Sequence, residues 1–285
     1  MNANPIGANA WIWVSPLTDE RLVELAPRLA AWGFDLAELP LENLGDWDPS
    51  RAAEVLSGHG LGATVCFAMG PGRELCAADA ATVRATQEYL RGCIDAAATV
   101  GSAVVAGPAY ASVGRTWRMA PGERRALYAE LREHLRPVCE YGAERGVRVA
   151  LEPLIRYETS VINTVEQALE VLDGLPPEGA GILFDTYHAN VEEKDPAAAL
   201  RSTGPWLAHL HASACDRGAP GDDHIEWGPL AAALEHIGYE GPAVIESFTA
   251  ENETIATAAS VWRPLAASQD AIAVDGLAFL RSLLA

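Results

Sequence analysis

Four ionisable residues stand at or next to the ends of four successive apolar segments in the second half of the chain. Glu152 closes 147–152, Asp185 closes 181–185, and His211 and Glu246 each stand one residue from the end of 207–212 and 242–247. Read as strands, these segments send alternate side chains to opposite faces. Val147, Val149 and Leu151 then oppose Arg148, Ala150 and Glu152, and Ile182 and Phe184 oppose Leu183 and Asp185. Ala208 and Leu210 oppose His209 and His211, while Ala243 and Ile245 oppose Val244 and Glu246. The apolar set takes the outer face each time, and an ionisable group finishes the inner one.

Three carboxylates converging on one rim repel one another strongly in a low-dielectric pocket unless a cation stands between them. Three oxygen donors and one imidazole suit a single hard divalent ion, Mn2+ first, with Co2+ or Mg2+ as alternatives; structural zinc would favour thiolates. Such an ion keeps positions open for two adjacent substrate oxygens, the pattern a hydroxy-ketone offers. His209, one layer beneath His211, reads as a satisfied interior histidine rather than a ligand. His224, in a polar loop, reads as solvated.

The rest of the chain supplies the elements that such a rim needs. Further candidate strands lie at 8–14, 34–39, 62–67 and 103–107, which makes eight in all. Between strands run Ala-, Leu-, Glu- and Arg-rich segments such as 19–33, 79–100 and 121–146, which end near glycine as helices do. Strand and helix alternating without a linker point to a parallel α/β fold, and 285 residues suit a single (β/α)8 TIM barrel over 1–285. In a barrel, an inward residue at the C-terminal end of a strand reaches the catalytic mouth. The polar, glycine-containing stretch 218–223 is read as an active-site loop.

Composition narrows the partners. With 20 Lys and Arg against 39 Asp and Glu, the net charge of −19 would repel a phosphate backbone, so nucleic acid is not expected. Cys66, Cys76, Cys93, Cys139 and Cys215 are odd in number, widely spread and without a C-x-x-C pair, which fits a reduced cytoplasm. Residues 1–5 carry no basic group and the apolar run 8–14 falls far short of the ~20 residues a span requires, so neither leader nor membrane partner is expected.

The motifs themselves resemble a known family. Leu151-Glu152-Pro153-Leu154, Arg156-Tyr157-Glu158-Thr159, Asp185-Thr186-Tyr187-His188, His209-Leu210-His211 with Asp216-Arg217-Gly218, and Ile245-Glu246-Ser247-Phe248 follow in the order and spacing of the ketose 3-epimerases of the D-tagatose and D-psicose (allulose) 3-epimerase type, within the xylose isomerase-like barrels. The opening Trp11-Ile12-Trp13-Val14-Ser15-Pro16-Leu17-Thr18 also looks familial. The resemblance implies a homodimer or homotetramer acting on a free ketose, with a Mn2+-type ion on Glu152, Asp185, His211 and Glu246. It implies Glu152 and Glu246 as the groups that handle the substrate proton. Glu158, His188 and Arg217 would contact the oxygens around carbons one to three, and Cys66 and Phe248 would line the far part of the sugar pocket. Ala214-Cys215 and Ile155 depart from the pattern, where Glu-Asn and Asn are common, and bear on sugar preference.

The reaction so implied inverts C3 through an enediolate, with the two glutamates as paired acid and base. An aldose-ketose isomerase or inosose dehydratase can share this barrel. A non-catalytic metal- or sugar-binding barrel would not need the pair of bases. An endonuclease on the same barrel would need more metal ligands and a basic DNA-facing surface, and the net charge of −19 counts against it.

Overall fold

The computed structural model describes residues 4–285; residues 1–3, the head of the N-terminal segment read above, lie outside them. Eight strands close in chain order into a parallel barrel: β1 (Ile6–Asn9), β2 (Leu36–Leu41), β3 (Gly62–Phe67), β4 (Val104–Gly107), β5 (Arg148–Leu151), β6 (Ala180–Asp185), β7 (Leu207–Ala212) and β8 (Ala243–Ile245), with β8 pairing back to β1. Around it run α1 (Asp19–Trp32), α2 (Pro49–Gly58), α3 (Ala80–Val100), α4 (Pro121–Glu144), α5 (Val165–Leu172), α6 (Thr186–Glu192), α7 (Pro196–Thr203), α8 (Trp227–Ile237), α9 (Glu253–Ala258) and α10 (Gln269–Leu283). Among the described residues, no helix is long and apolar enough to cross a membrane.

Local chemistry sets the boundaries. The Asp79 carboxylate caps α3 by accepting from the backbone N–H groups of Ala81 and Thr82 at 2.8 and 3.0 Å. The helix ends at Gly101, whose φ of +79° is the left-handed conformation that glycine reaches without penalty. At β1 the sequence pattern overshoots: the strand stops at Asn9, because Asn9 Oδ1 accepts from Trp11 N at 2.9 Å and turns Ala10–Ile12 into a 3-10 helix. β2 begins later than the expected 34, since Phe34 N closes α1 on Leu29 O and the Asp35 carboxylate takes the N–H of Ile6. β3 and β7 fall on the expected residues. Glu152 and Glu246 stand one residue past β5 and β8, yet each continues the ladder: Glu152 N donates to Gly107 O and Glu246 N to Ala212 O, both at 3.2 Å.

The outward residues Val149, Leu151, Ile182, Phe184, Leu210 and Ile245 join the large core beneath the helices. Val104, Ala106, Ala150 and Leu183 form a separate cluster inside the barrel. Ala208 is a correction. The register moves from Ile182↔Leu207 to Leu183↔His209, so Ala208 is the extra residue of a bulge. It packs on the interior cluster instead of facing the helices.

Candidate metal centre and active site

β7 delivers two histidines inward, and a carboxylate from across the barrel meets both. Glu38, on β2, accepts from His209 Nε2 at 2.6 Å and from His211 Nε2 at 2.7 Å. Asn9 Nδ2 and Thr64 Oγ1 add donors to the same carboxylate at 2.8 and 3.1 Å. With Nε2 committed to Glu38, the lone pair of a neutral His211 falls on Nδ1, which is buried and has no hydrogen-bond partner. Nδ1 faces Glu246 Oε1 at 3.3 Å.

Around that nitrogen, one ligand atom from each of Glu152, Asp185, His211 and Glu246 lies within 4.8 Å of the others, and all four side chains are buried. The donor set and the orphaned imidazole nitrogen fit a divalent cation, and the carboxylate–imidazole pairing behind it is the usual support of a metal-binding histidine. Glu38, His209 and His211 form a second close group. Both Glu38 oxygens are already taken there by histidine, asparagine and threonine donors.

Arg217 reaches the cluster from the loop after β7. Its Nη1 donates to Asp185 Oδ2 at 2.7 Å and to Glu246 Oε2 at 3.1 Å, and its Nη2 stands 2.9 Å from His188 Nε2. The guanidinium is held between the rings of Tyr187 and Phe248, at 3.9 and 4.8 Å from their centroids. Its backbone is in the left-handed region at φ +70°, an unfavourable setting for a residue with a Cβ. Bonds from Arg217 N to Ala214 O and from Phe248 N to Arg217 O, both 3.0 Å, keep it there. His188 is oriented by the N–H of Ile155, which donates to Nδ1 at 3.1 Å, and its Nε2 lies 3.6 Å from Glu152 Oε1.

The electrostatics separate the two glutamates. Burial, then the charge of Glu246, pushes the Glu152 carboxyl well above the usual carboxylate range. Burial acts on Glu246 in the same sense, but His211 and Arg217 outweigh it and hold this carboxyl below its ordinary value. Burial raises Asp185 to about 6 against the opposing pull of Arg217. For His211, burial disfavours the charged ring, and Glu38 followed by Glu246 overcomes it and raises the imidazole well above its usual range. Burial, then Arg217, keeps His188 neutral at physiological pH.

The remaining expected residues divide by position. Cys66 and Phe248 fall in one buried cluster with Trp11, and Asn9 Nδ2 approaches Cys66 Sγ at 3.3 Å. Glu158 is half-buried, and burial raises its carboxyl against the charge of Arg217. Of the departures, Ile155 contributes its backbone N–H to His188 and Ala214 its carbonyl to Arg217, while Cys215 is only partly covered. The 218–223 loop begins directly after Arg217: Gly218 O accepts from Ser247 Oγ at 2.7 Å, and Pro220 and Gly221 pack on Gly276 and Phe279 of α10. Arg217 itself enters the cluster. His224 is exposed. The sequence pattern missed Glu38, a lone acid within Leu36-Ala37-Glu38-Leu39-Pro40-Leu41, all buried. A charge at an inward position of a strand otherwise apolar throughout was the available signal.

Known proteins agree with this reading of the fold. Residues 26–283 match the family model described as "Xylose isomerase-like TIM barrel". A "Probable ketose 3-epimerase" from Synechocystis sp. is 33% identical over 279 residues, covering 96% of this chain and 95% of that one. A "Ketose 3-epimerase" from Arthrobacter globiformis is 30% identical over 281 residues, covering 98% and 96%. The crystal structure of a D-allulose 3-epimerase from Methylomonas sp. superposes with a TM-score of 0.90 at 27% identity, over 100% of this chain and 99% of that one. The chain therefore belongs to the ketose 3-epimerases of the xylose isomerase-like TIM barrel family.

Proposed function

We propose that this chain, as a single (β/α)8 domain over 1–285, is a metal-dependent epimerase that inverts C3 of a free ketose. The observation that carries the reading is the buried pair Glu152 and Glu246, brought from the ends of β5 and β8 into one donor cluster with Asp185 and His211. Glu152, Asp185, His211 and Glu246 would hold one divalent ion, Mn2+ first with Co2+ or Mg2+ as alternatives. When bound, the ion would polarise the ketose carbonyl and stabilise negative charge on its oxygens.

The protein's own groups supply the rest. One of the two glutamates, as a base, takes the C3 proton, and the other returns one to the opposite face of the enediolate; the roles exchange for the reverse reaction. Arg217 and the neutral His188 offer hydrogen bonds to the developing oxyanion. Glu158 orients hydroxyls near C1 to C3, and Cys66 and Phe248 line the remote end of the sugar. The reading extends to a homodimer or homotetramer in the cytoplasm, where five free cysteines would stay reduced. Neither nucleic acid nor membrane enters it.

The test is a panel of free ketoses incubated with the purified protein and Mn2+, in parallel with a chelated sample, and the products separated. The reading expects C3 epimers with metal and none after chelation. Aldose products would indicate isomerisation, binding without turnover a carrier, and full turnover in a verified metal-free sample would remove the cation from the mechanism.

A further inference from the structure

At the end of the barrel opposite the donor cluster, the starts of β3, β4, β5 and β7 surround a cavity of about 850 Å³. That size is within the range of sites for small molecules. Its walls are apolar at Leu36, Val104, Leu207 and Ile237, and Arg148 is the one guanidinium among its lining residues.

Arg148 is fixed in place and left without a counter-charge. Its Nε donates to Ala180 O at 3.0 Å and its Nη2 to the carbonyls of Pro205 and Trp206 at 3.2 and 3.3 Å. Nη1 donates to no acceptor among the described residues, and no carboxylate among them lies within ion-pair distance. Two acids also line the cavity, Asp35 and Glu240, neither of them paired with Arg148; Asp35 is committed to Arg281 at 2.8 Å and to the N–H of Ile6 at 2.7 Å. Space for the guanidinium is built into the floor: a Cβ on Gly181 would stand 3.0 Å from Nη2 and 2.6 Å from the Cβ of the bulged Ala208. The half-buried cation thus keeps one edge of its fork for an acceptor that no described residue provides.

The geometry points to a second ligand site in this cavity, for a small molecule that carries an oxyanion, carboxylate or phosphate, on an apolar body, with the oxyanion on Arg148. Planar carboxylates and phosphates match the donor fork of arginine, and the apolar wall takes the rest of the molecule. Thr64, in the lining, donates to Glu38, so the cavity ends one hydrogen bond below the residue that engages His211.

The test is calorimetric titration of the Mn2+-loaded full chain with benzoate and with phenyl phosphate, which share one apolar body and differ in the oxyanion. Each titration is repeated with saturating D-fructose and with Arg148→Gln. Saturable binding of at least one probe, indifferent to the ketose and weakened about tenfold or more in R148Q, is expected for loss of a charge-assisted bond. Should R148Q fail to fold, a crystal structure of the wild-type protein with the bound probe decides, and density against Arg148 is the expected result. No binding of either probe, displacement by the ketose, undiminished binding in R148Q, or density elsewhere would each overturn the assignment.

Discussion

Glu38 and His211 share a 2.7 Å hydrogen bond across the barrel interior, between a β2 carboxylate and the Nε2 of a β7 imidazole whose Nδ1 faces the donor cluster. This bond fixes the tautomer that leaves Nδ1 free to bind metal. Glu38→Gln can accept only one of the two histidine N–H groups that Glu38 takes now. The variant should lose ~10- to 100-fold in Mn2+ affinity, the usual consequence of removing such a partner. Titration of folded E38Q with Mn2+, followed by the paramagnetic signal of the free ion, checks this. Unchanged affinity would mean that Glu38 serves the core alone.

Proton competition gives the second prediction. Asp185 is raised to about 6, and Glu152 and His211 are raised well above their ordinary values. A cation needs all three deprotonated, so protons compete more strongly as pH falls, and affinity must rise with pH. Asp185 alone should weaken binding about tenfold between pH 7.5 and 5.0. Glu152 and His211 extend the slope to higher pH. Mn2+ affinities measured across that interval, with protons released on binding, should show this trend, and a flat profile would count against a site shared by these three groups.

Legibility in the sequence followed how local each signal was. β5 to β8 were readable because their apolar alternation survives in the packing: Val149, Phe184, Leu210 and Ile245 all sit under helices. The end of β1 and start of β2 were not, since Asn9 and Asp35 spend side-chain oxygens on backbone N–H groups, and a hydropathy pattern does not register that. The bulge at Ala208 arises from pairing between β6 and β7, which no single strand encodes. The donor cluster was readable because its members end strands. Glu38 was not, because its partners His209 and His211 are 171 and 173 residues away and only barrel closure brings them together.

Glu152 and Glu246 can be tested one at a time by amide substitution. Glu152→Gln and Glu246→Gln keep shape and one oxygen donor while removing the titrating group. Each should lower kcat by ~10²- to 10⁴-fold, the range for loss of a general acid or base. Metal occupancy must be measured on the same samples, since both side chains belong to the donor cluster. A fully loaded variant of either kind with near wild-type turnover would show that its glutamate does not move the proton.

The last prediction separates C3 epimerisation from aldose–ketose isomerisation on the same barrel. If Glu152 and Glu246 work on opposite faces of one carbon, the labile hydrogen is the one on C3, whereas an isomerase exchanges at C1. Glu152 and Glu246 stand just beyond β5 and β8, at the barrel mouth, and exchange of the abstracted proton with solvent before its return would label that carbon. With D-fructose, D-tagatose or L-ribulose in D2O and Mn2+, NMR should show deuterium at C3 of the product and, with time, of recovered substrate. Glu152→Gln should slow the appearance of product more than exchange into substrate when Glu246 is the group that removes the proton, because the return to the other face is then the impaired step. Deuterium confined to C1, with an aldose as product, would rule out the C3 assignment and leave the barrel and its donor cluster to an isomerase.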